Sequence, residues 1–259
     1  MYPQFQVLGV TVHAFGLALA LALAMFLWMS YRLAGKVQAD RAFLSANVLW
    51  FILAGVVVSR LGFFLAEWRD YKFLFSEGSW FQAVFMSDYN LSLAGAAAGF
   101  SGLFLWNSRT LRKRDRMALV DVFVLAFLFA AVAGYVGALL GGQVYGSAVP
   151  NGSAWGVTYD HPATPVPGDR ARFPLAAAYA AVTFLMFCGL YIAHVLTNVA
   201  GLVGYAGLVA FASVLLVGEF FNGNPDMFRS LVFLNLNQLV AAFTIFAGLR
   251  GMLSIAKNS

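Results

Sequence analysis

The 259-residue sequence predicts an all-α polytopic membrane protein with seven transmembrane helices. Composition is the first reason: 61% of residues are hydrophobic and only 10% charged, against roughly 25% charged in an ordinary soluble domain. A water-soluble chain of this size could not solvate that surface. The apolar residues also fall in runs near the 20 residues a helix needs to cross hydrocarbon, not in the alternating segments of about 10 that a membrane barrel would show. Finally, the basic residues behind the net charge of +5 sit mostly in short connections between runs, where such residues report membrane orientation. Nucleic acid is therefore not an expected partner.

Taken in order, the spans are expected at about 8–30, 42–66, 90–106, 117–140, 173–196, 200–221 and 231–250. Met1 to Val12 contains no Lys or Arg, and the first apolar stretch is too long for a signal-peptide core, so the first segment should persist as a membrane helix. The third span is short and follows an aromatic stretch, Trp80 to Tyr89, suited to the membrane interface. A single membrane domain is expected over residues 1–259. Cys188 is the sole cysteine, which excludes an intramolecular disulfide and a two-cysteine metal site; packing is its expected role.

Ten of the 16 basic residues fall on one side of this topology, in the connections after spans one and three and at the C-terminus; five fall on the other, and Arg60 lies within span two. The positive-inside bias then sets the N-terminus outside and the C-terminus in the cytoplasm. The one long connection, 141–172, is extracytoplasmic by this count. It holds Pro150, Pro162, Pro165 and Pro167 together with Gly141, Gly142, Gly146, Gly152, Gly156 and Gly168, a composition that prescribes turns and not another helix. Loops of this length are often functional.

A charge at the membrane centre costs roughly 2.5–3.5 kcal/mol on insertion scales, so the depth of each polar residue is informative. His13, Arg60, Ser92, Gln143, Tyr145, Arg172, Glu219, Asn235, Asn237 and Gln238 all fall toward the outer ends of their spans, whereas Asp121, His194 and Asn198 belong to the inner side. This predicts a polar cavity in the outer half, able to admit a lipid headgroup or the membrane-proximal part of a protein substrate. Arg60 and Glu219, each in apolar surroundings, are expected to pair or to share an anionic headgroup, because unpaired burial is expensive. Gly95 with Gly99, and Gly137 with Gly141, suit close helix contact. The sequence contains no phosphate-binding loop, no histidine pair at metal spacing and no carboxylate cluster, so neither a metal nor a cofactor is expected.

GYVGALLGGQVYG at 134–146, SAWGVTYDHP at 153–162 and RARFP at 170–174 resemble the signature of the bacterial prolipoprotein diacylglyceryl transferase family. That signature runs Gly-Arg-Leu-Gly-Asn-Phe-Ile-Asn-Gly-Glu-x-Trp-Gly, then Pro-Trp-Gly, then Arg-His-Pro. FQVLGVTVHAFGL near the start, SRLGFFL at 59–65, SLAGAAAG at 92–99 and EFFNGNPD at 219–226 followed by Asn237-Gln238 are similar to further family segments. The resemblance implies a multi-pass protein of the bacterial cytoplasmic membrane. It also implies transfer of a diacylglyceryl group from phosphatidylglycerol to the lipobox cysteine of a lipoprotein precursor. Such chemistry requires a thiolate from the substrate, removal of its proton, and cationic groups for the departing glycerol phosphate.

Several reactive positions of that pattern differ here. The family His falls on Ala94, the signature Arg on Tyr135, its first Asn on Ala138, its Glu on Gln143, the Arg of the late motif on Asn222, and the His of Arg-His-Pro on Phe173. Tyr and Ala cannot supply a fixed positive charge, and Gln cannot act as a carboxylate. The resemblance therefore implies a diverged member with weak or no transferase activity, whose lipid-headgroup residues are Arg60, Gln143, Tyr145, Gly146, Arg172, Glu219 and Gln238. If the chain is an active transferase, His13 or His161 would assist proton transfer. A third reading is a structural subunit that binds another membrane protein.

Overall fold

The computed structural model describes residues 3–7, 10–36, 41–66, 92–161, 164, 166, 170–223 and 236–257. The aromatic stretch 80–89 and Asn235, Pro225 and Asp226 lie outside the described residues. A short hairpin, β1 (Gln4–Val7) and β2 (Val10–His13), precedes α1 (Ala14–Lys36). Then follow α2 (Arg41–Ala66), α3 (Leu93–Asn107), α4 (Lys113–Gly141), α5 (Leu175–Leu196), α6 (Leu202–Gly218) and α7 (Leu236–Ala256). All of these helices except α3 are long and apolar enough to cross a membrane. At 15 residues α3 rises only about 22 Å, short of the ~30 Å hydrocarbon core. Helices dominate because hydrocarbon offers the backbone no hydrogen bonds, and a helix satisfies its own.

The first span is displaced from its expected bounds. Residues 8–13 fall within the expected first span, but Phe5 pairs with Val12 and Gln4 with His13 across the hairpin, so the helix starts only at Ala14.

The chain forms two compact units, 40–112 and the remainder. In the smaller unit, α2 and α3 run antiparallel. Gly99 and Gly95 of α3 lie against the backbone of α2 at Ala54 and at Val58–Ser59, so close that a methyl group at either position would overlap it. These are the contacts their small size permits. At one end Ser92 caps α3, its Oγ accepting the Gly95 N–H at 3.1 Å, while Ser59 Oγ donates to the Ser92 carbonyl at 2.8 Å. At the other end Asn107 Nδ2 donates to Asn47 Oδ1 at 2.8 Å.

In the larger unit α4 is the central helix, packed by α1, α5 and α6, with α7 on α6. Its Leu119, Val122, Leu125, Ala126 and Leu128 are wholly buried. Gly137 of α4 meets Ala18 of α1 without room for a side chain. Toward the other end of α4, the buried Asp121 carboxylate accepts the N–H groups of Gly201 at 2.6 Å and Gly204 at 2.5 Å. The first turn of α6 is thus capped from a neighbouring helix, satisfying donors that a helix start leaves open. Gly201 enters α6 at φ +87°, with no cap from its own side chain.

Candidate functional site

The opposite end of this unit gathers the C-termini of α4 and α6 with the N-termini of α5 and α7. Helix α4 stops by a left-handed glycine closure: Gly142 has φ +67°, its N–H donates to Leu139 O at 3.4 Å, and the Gln143 N–H reaches back to Ala138 O at 2.9 Å. This pairing settles two otherwise open carbonyls. A Cβ on Gly142 would also strike Thr164 Oγ1. Gly142→Ala should therefore lower stability by at least about 1–2 kcal/mol, the cost of a left-handed non-glycine residue, read as a lower melting temperature in detergent.

Past this turn the chain forms a small irregular sheet. Gly146 pairs with Asn222, and Arg172 pairs with both Ala148 and Val157. Gly146 N–H donates to Phe173 O at 2.8 Å, Ser147 N–H to Phe221 O at 2.9 Å, and Gly223 N–H to Tyr145 O at 3.0 Å. The long connection is thereby fastened to the ends of α5 and α6. Buried Gly146 is needed here, because a Cβ would overlap the Phe173 backbone and side chain.

On this frame the Arg172 guanidinium lies over the Tyr145 ring, 5.1 Å from its centroid, a contact that holds a cation by the ring quadrupole. Glu219 caps the C-terminus of α6 and opens a 3-10 turn, Glu219–Phe221. Its Oε2 accepts Asn222 Nδ2 at 3.2 Å, and its Oε1 accepts Asn237 Nδ2 from α7 at 3.1 Å. Gln238, the next residue of α7, is buried. Tyr135 of α4 and Tyr179 of α5 meet with ring centroids 5.0 Å apart and planes tilted by 33°, near enough to the Glu219 carboxylate to feel its charge. The Tyr135 hydroxyl is buried without a hydrogen-bond partner among the described residues. Tyr179 lies against Gly218, where any side chain would overlap its hydroxyl.

Beside this polar group an apolar cavity of about 410 Å³ runs between α5 and α6, lined by Phe173, Ala178, Tyr179, Val214, Gly218 and Phe221 among others. Tyr179 and Gly218 belong to both. The lining residues Phe173 and Gly218 adjoin Arg172 and Glu219 in the chain, and Tyr179 meets Tyr135.

The structure thus brings Tyr145, Gly146, Arg172, Glu219 and, through Asn237, the α7 segment holding Gln238 to one end of one unit. Gln143 follows the α4 turn there and is exposed. Arg60 belongs to the smaller unit, its guanidinium 4.9 Å from the Phe64 ring centroid and 5.6 Å from that of Phe63. His13 ends the N-terminal hairpin, opposite Gln4. His161 stands in the long connection, its carbonyl accepting the Thr164 N–H at 3.0 Å. Sequence reasoning missed Tyr179, because a tyrosine in an apolar helix carries no signal until its neighbours are known. It met Tyr135 and Asn222 only as departures from a motif.

Tyr159 of the same connection is buried with no partner for its hydroxyl among the described residues, and burial raises its phenol above the ordinary value near 10. The unfolded phenol ionises first as pH rises, so this contribution is whole below pH ~10 and is lost above it. Tyr159→Phe should leave neutral-pH stability unchanged or higher and flatten the fall in melting temperature above pH ~10.

The family model for prolipoprotein diacylglyceryl transferase matches residues 3–254. The phosphatidylglycerol–prolipoprotein diacylglyceryl transferase of Helicobacter pylori is 25% identical over 281 aligned positions, covering 98% of this chain and 93% of that protein. The similarly named protein of Methylibium petroleiphilum is 23% identical, covering 92% and 90% respectively. With both compact units inside the matched region, the chain belongs to the prolipoprotein diacylglyceryl transferase family.

Proposed function

We propose that this protein holds a phospholipid of the outer leaflet, with its headgroup at Tyr145, Arg172 and Glu219 and an acyl chain in the α5–α6 groove, and that it has weak or no family transferase activity. The observation that carries the reading is the continuity of the apolar groove with the polar group through Tyr179 and Gly218. The relatives' names supply the setting, phosphatidylglycerol and prolipoprotein. Here the cationic position of the signature is Tyr135, its carboxylate position is Gln143 and the histidine position is Ala94. Losing one charge-stabilising donor typically costs 10²–10³ in rate, and two such losses together with the base leave little of the reaction. Gln143, Gly146 and Gln238 line or shape the headgroup end. For Arg60 the assignment stands on its depth along α2 alone.

The same reading takes α3 as a seventh span in one membrane domain of the bacterial cytoplasmic membrane, N-terminus outside. Its support is the distribution of basic residues, ten against five. Lipid extraction from the purified protein tests the headgroup site: a bound phospholipid is expected at about one per chain, reduced in Arg172→Ala. A preparation free of lipid, with unchanged melting on adding it, would refute the reading.

A further inference from the structure

We infer that the tip of the long α4–α5 connection, the turn carrying Trp155, is inserted in the membrane interface and anchors the connection to the bilayer. The partner is the lipid surface, not the single lipid proposed at Tyr145, Arg172 and Glu219, and the anchor stands whether or not that lipid is bound. Three observations carry it.

The first is the exposure of Trp155. Its side chain is 75% exposed, and no other large hydrophobic among the described residues of the connection is exposed. The connection has a core of its own, in which Tyr159, Val166 and Ala171 are buried, so the indole is kept out of a core that takes its neighbours. A tryptophan favours a boundary that offers apolar contact on one side and water for its N–H on the other, and membrane interfaces are enriched in it for that reason.

The second is the way the turn is fixed. Ser153 N–H donates to Pro150 O at 3.1 Å and Gly156 N–H to Ser153 O at 3.0 Å, so two turns follow one another directly. Asn151 Oδ1 accepts the Ala171 N–H at 3.1 Å, and a Cβ on Gly156 would overlap Ala171. Val157 then exchanges both backbone bonds with Arg172, at 2.9 and 3.0 Å. Arg172 stands three residues before Leu175, where the membrane helix α5 begins, a path of at most about 11 Å, and neighbouring strands lie about 4.8 Å apart. The indole is thus presented from a frame tied to a helix end at the membrane surface.

The third is charge. No charged residue lies between Asp121 and Asp160, and the charges of the connection, Asp160, Asp169, Arg170 and Arg172, are confined to its second half. Around the tip the exposed residues Ala148, Pro150, Gly152 and Ala154 are small and neutral, and the one amide, Asn151, is engaged with Ala171. A neutral tip loses little on leaving bulk water, whereas each charge would lose much. A protein-docking tryptophan would be expected to carry a polar rim, which these small side chains do not supply.

The test is nitroxide accessibility in the full-length protein, reconstituted in vesicles of dioleoylphosphatidylcholine and dioleoylphosphatidylglycerol, with the label on Ala154→Cys or on Asp160→Cys and Cys188→Ala in the background. The label at position 154 is expected to collide more with molecular oxygen, which concentrates in lipid, than with a water-soluble nickel chelate, and the label at position 160 the reverse. Trp155→Asp should raise the chelate accessibility at position 154 several-fold while leaving the melting temperature in detergent unchanged, because the bonds that fix the turn do not use the indole. A label at position 154 as open to the chelate as that at position 160, or one that Trp155→Asp does not move, would overturn the inference. So would a label open to the chelate in vesicles and shielded only on adding a lipobox peptide, which would make the tip a peptide-docking site.

Discussion

Asp121→Ala is expected to lower unfolding stability by about 3–5 kcal/mol, because two buried N–H donors lose a charged acceptor at once. The carboxylate accepts from Gly201 and Gly204 at the start of α6, and the N-cap residue, Gly201, has no side chain to cap that helix in its place. Removing it leaves open donors in a region closed by close packing: Gly204 lies against the Val120 and Asp121 backbone, and Gly201 against Met117 and Ile255. Asp121→Asn should fall between, since one amide oxygen can still accept while the NH₂ faces a donor. The measurement is the melting temperature in detergent for the three proteins. A loss below about 1 kcal/mol for the alanine variant would mean that water or another group satisfies the α6 start.

Arg172→Ala is expected to weaken phospholipid retention by about 10–100-fold, the range for losing one hydrogen-bonded charge. Its effect on folding should be small by comparison, because Arg172 fastens the irregular sheet through its backbone, bonded to Val157 at 2.9 and 3.0 Å. Those bonds survive the substitution. The side chain contributes the stacking on Tyr145 and the positive charge. Arg172→Lys should restore only part of the retention, as an ammonium lacks the planar fork that matches phosphate. Lipid titration monitored by melting temperature separates the two contributions.

Helix positions were legible because hydrocarbon leaves so few options: an apolar run of about 20 residues reads directly as a span. Residues 10–13, inside the first expected span, belong to the hairpin instead, since Val is equally apolar in a hairpin and in the first turn of a helix. The glycine pairs of α3 and α4 were readable as packing positions, since only close approach explains small residues at that spacing. The loop was legible as turns but not as a sheet. Its pairings join Gly146 to Asn222 and Ala148 to Arg172, contacts across long sequence separations that local composition does not encode. Asp121 shows the same limit, because it caps a helix that begins 80 residues later. Within the site, charged residues stood out by their cost in the membrane, whereas Tyr135 and Tyr179 carry no charge and emerge only from geometry.

The proposed function keeps the lipid site and loses most of the transferase reaction. Its most direct test is diacylglyceryl transfer from phosphatidylglycerol to a lipobox peptide by the purified, reconstituted protein, followed as lipid-dependent mass gain beside the Helicobacter pylori relative. The expected rate is at least about 10³-fold below the relative's, with bound phospholipid still present. Transfer within tenfold of the relative, abolished by His161→Ala or His13→Ala, would contradict it and assign the proton transfer to a substitute base.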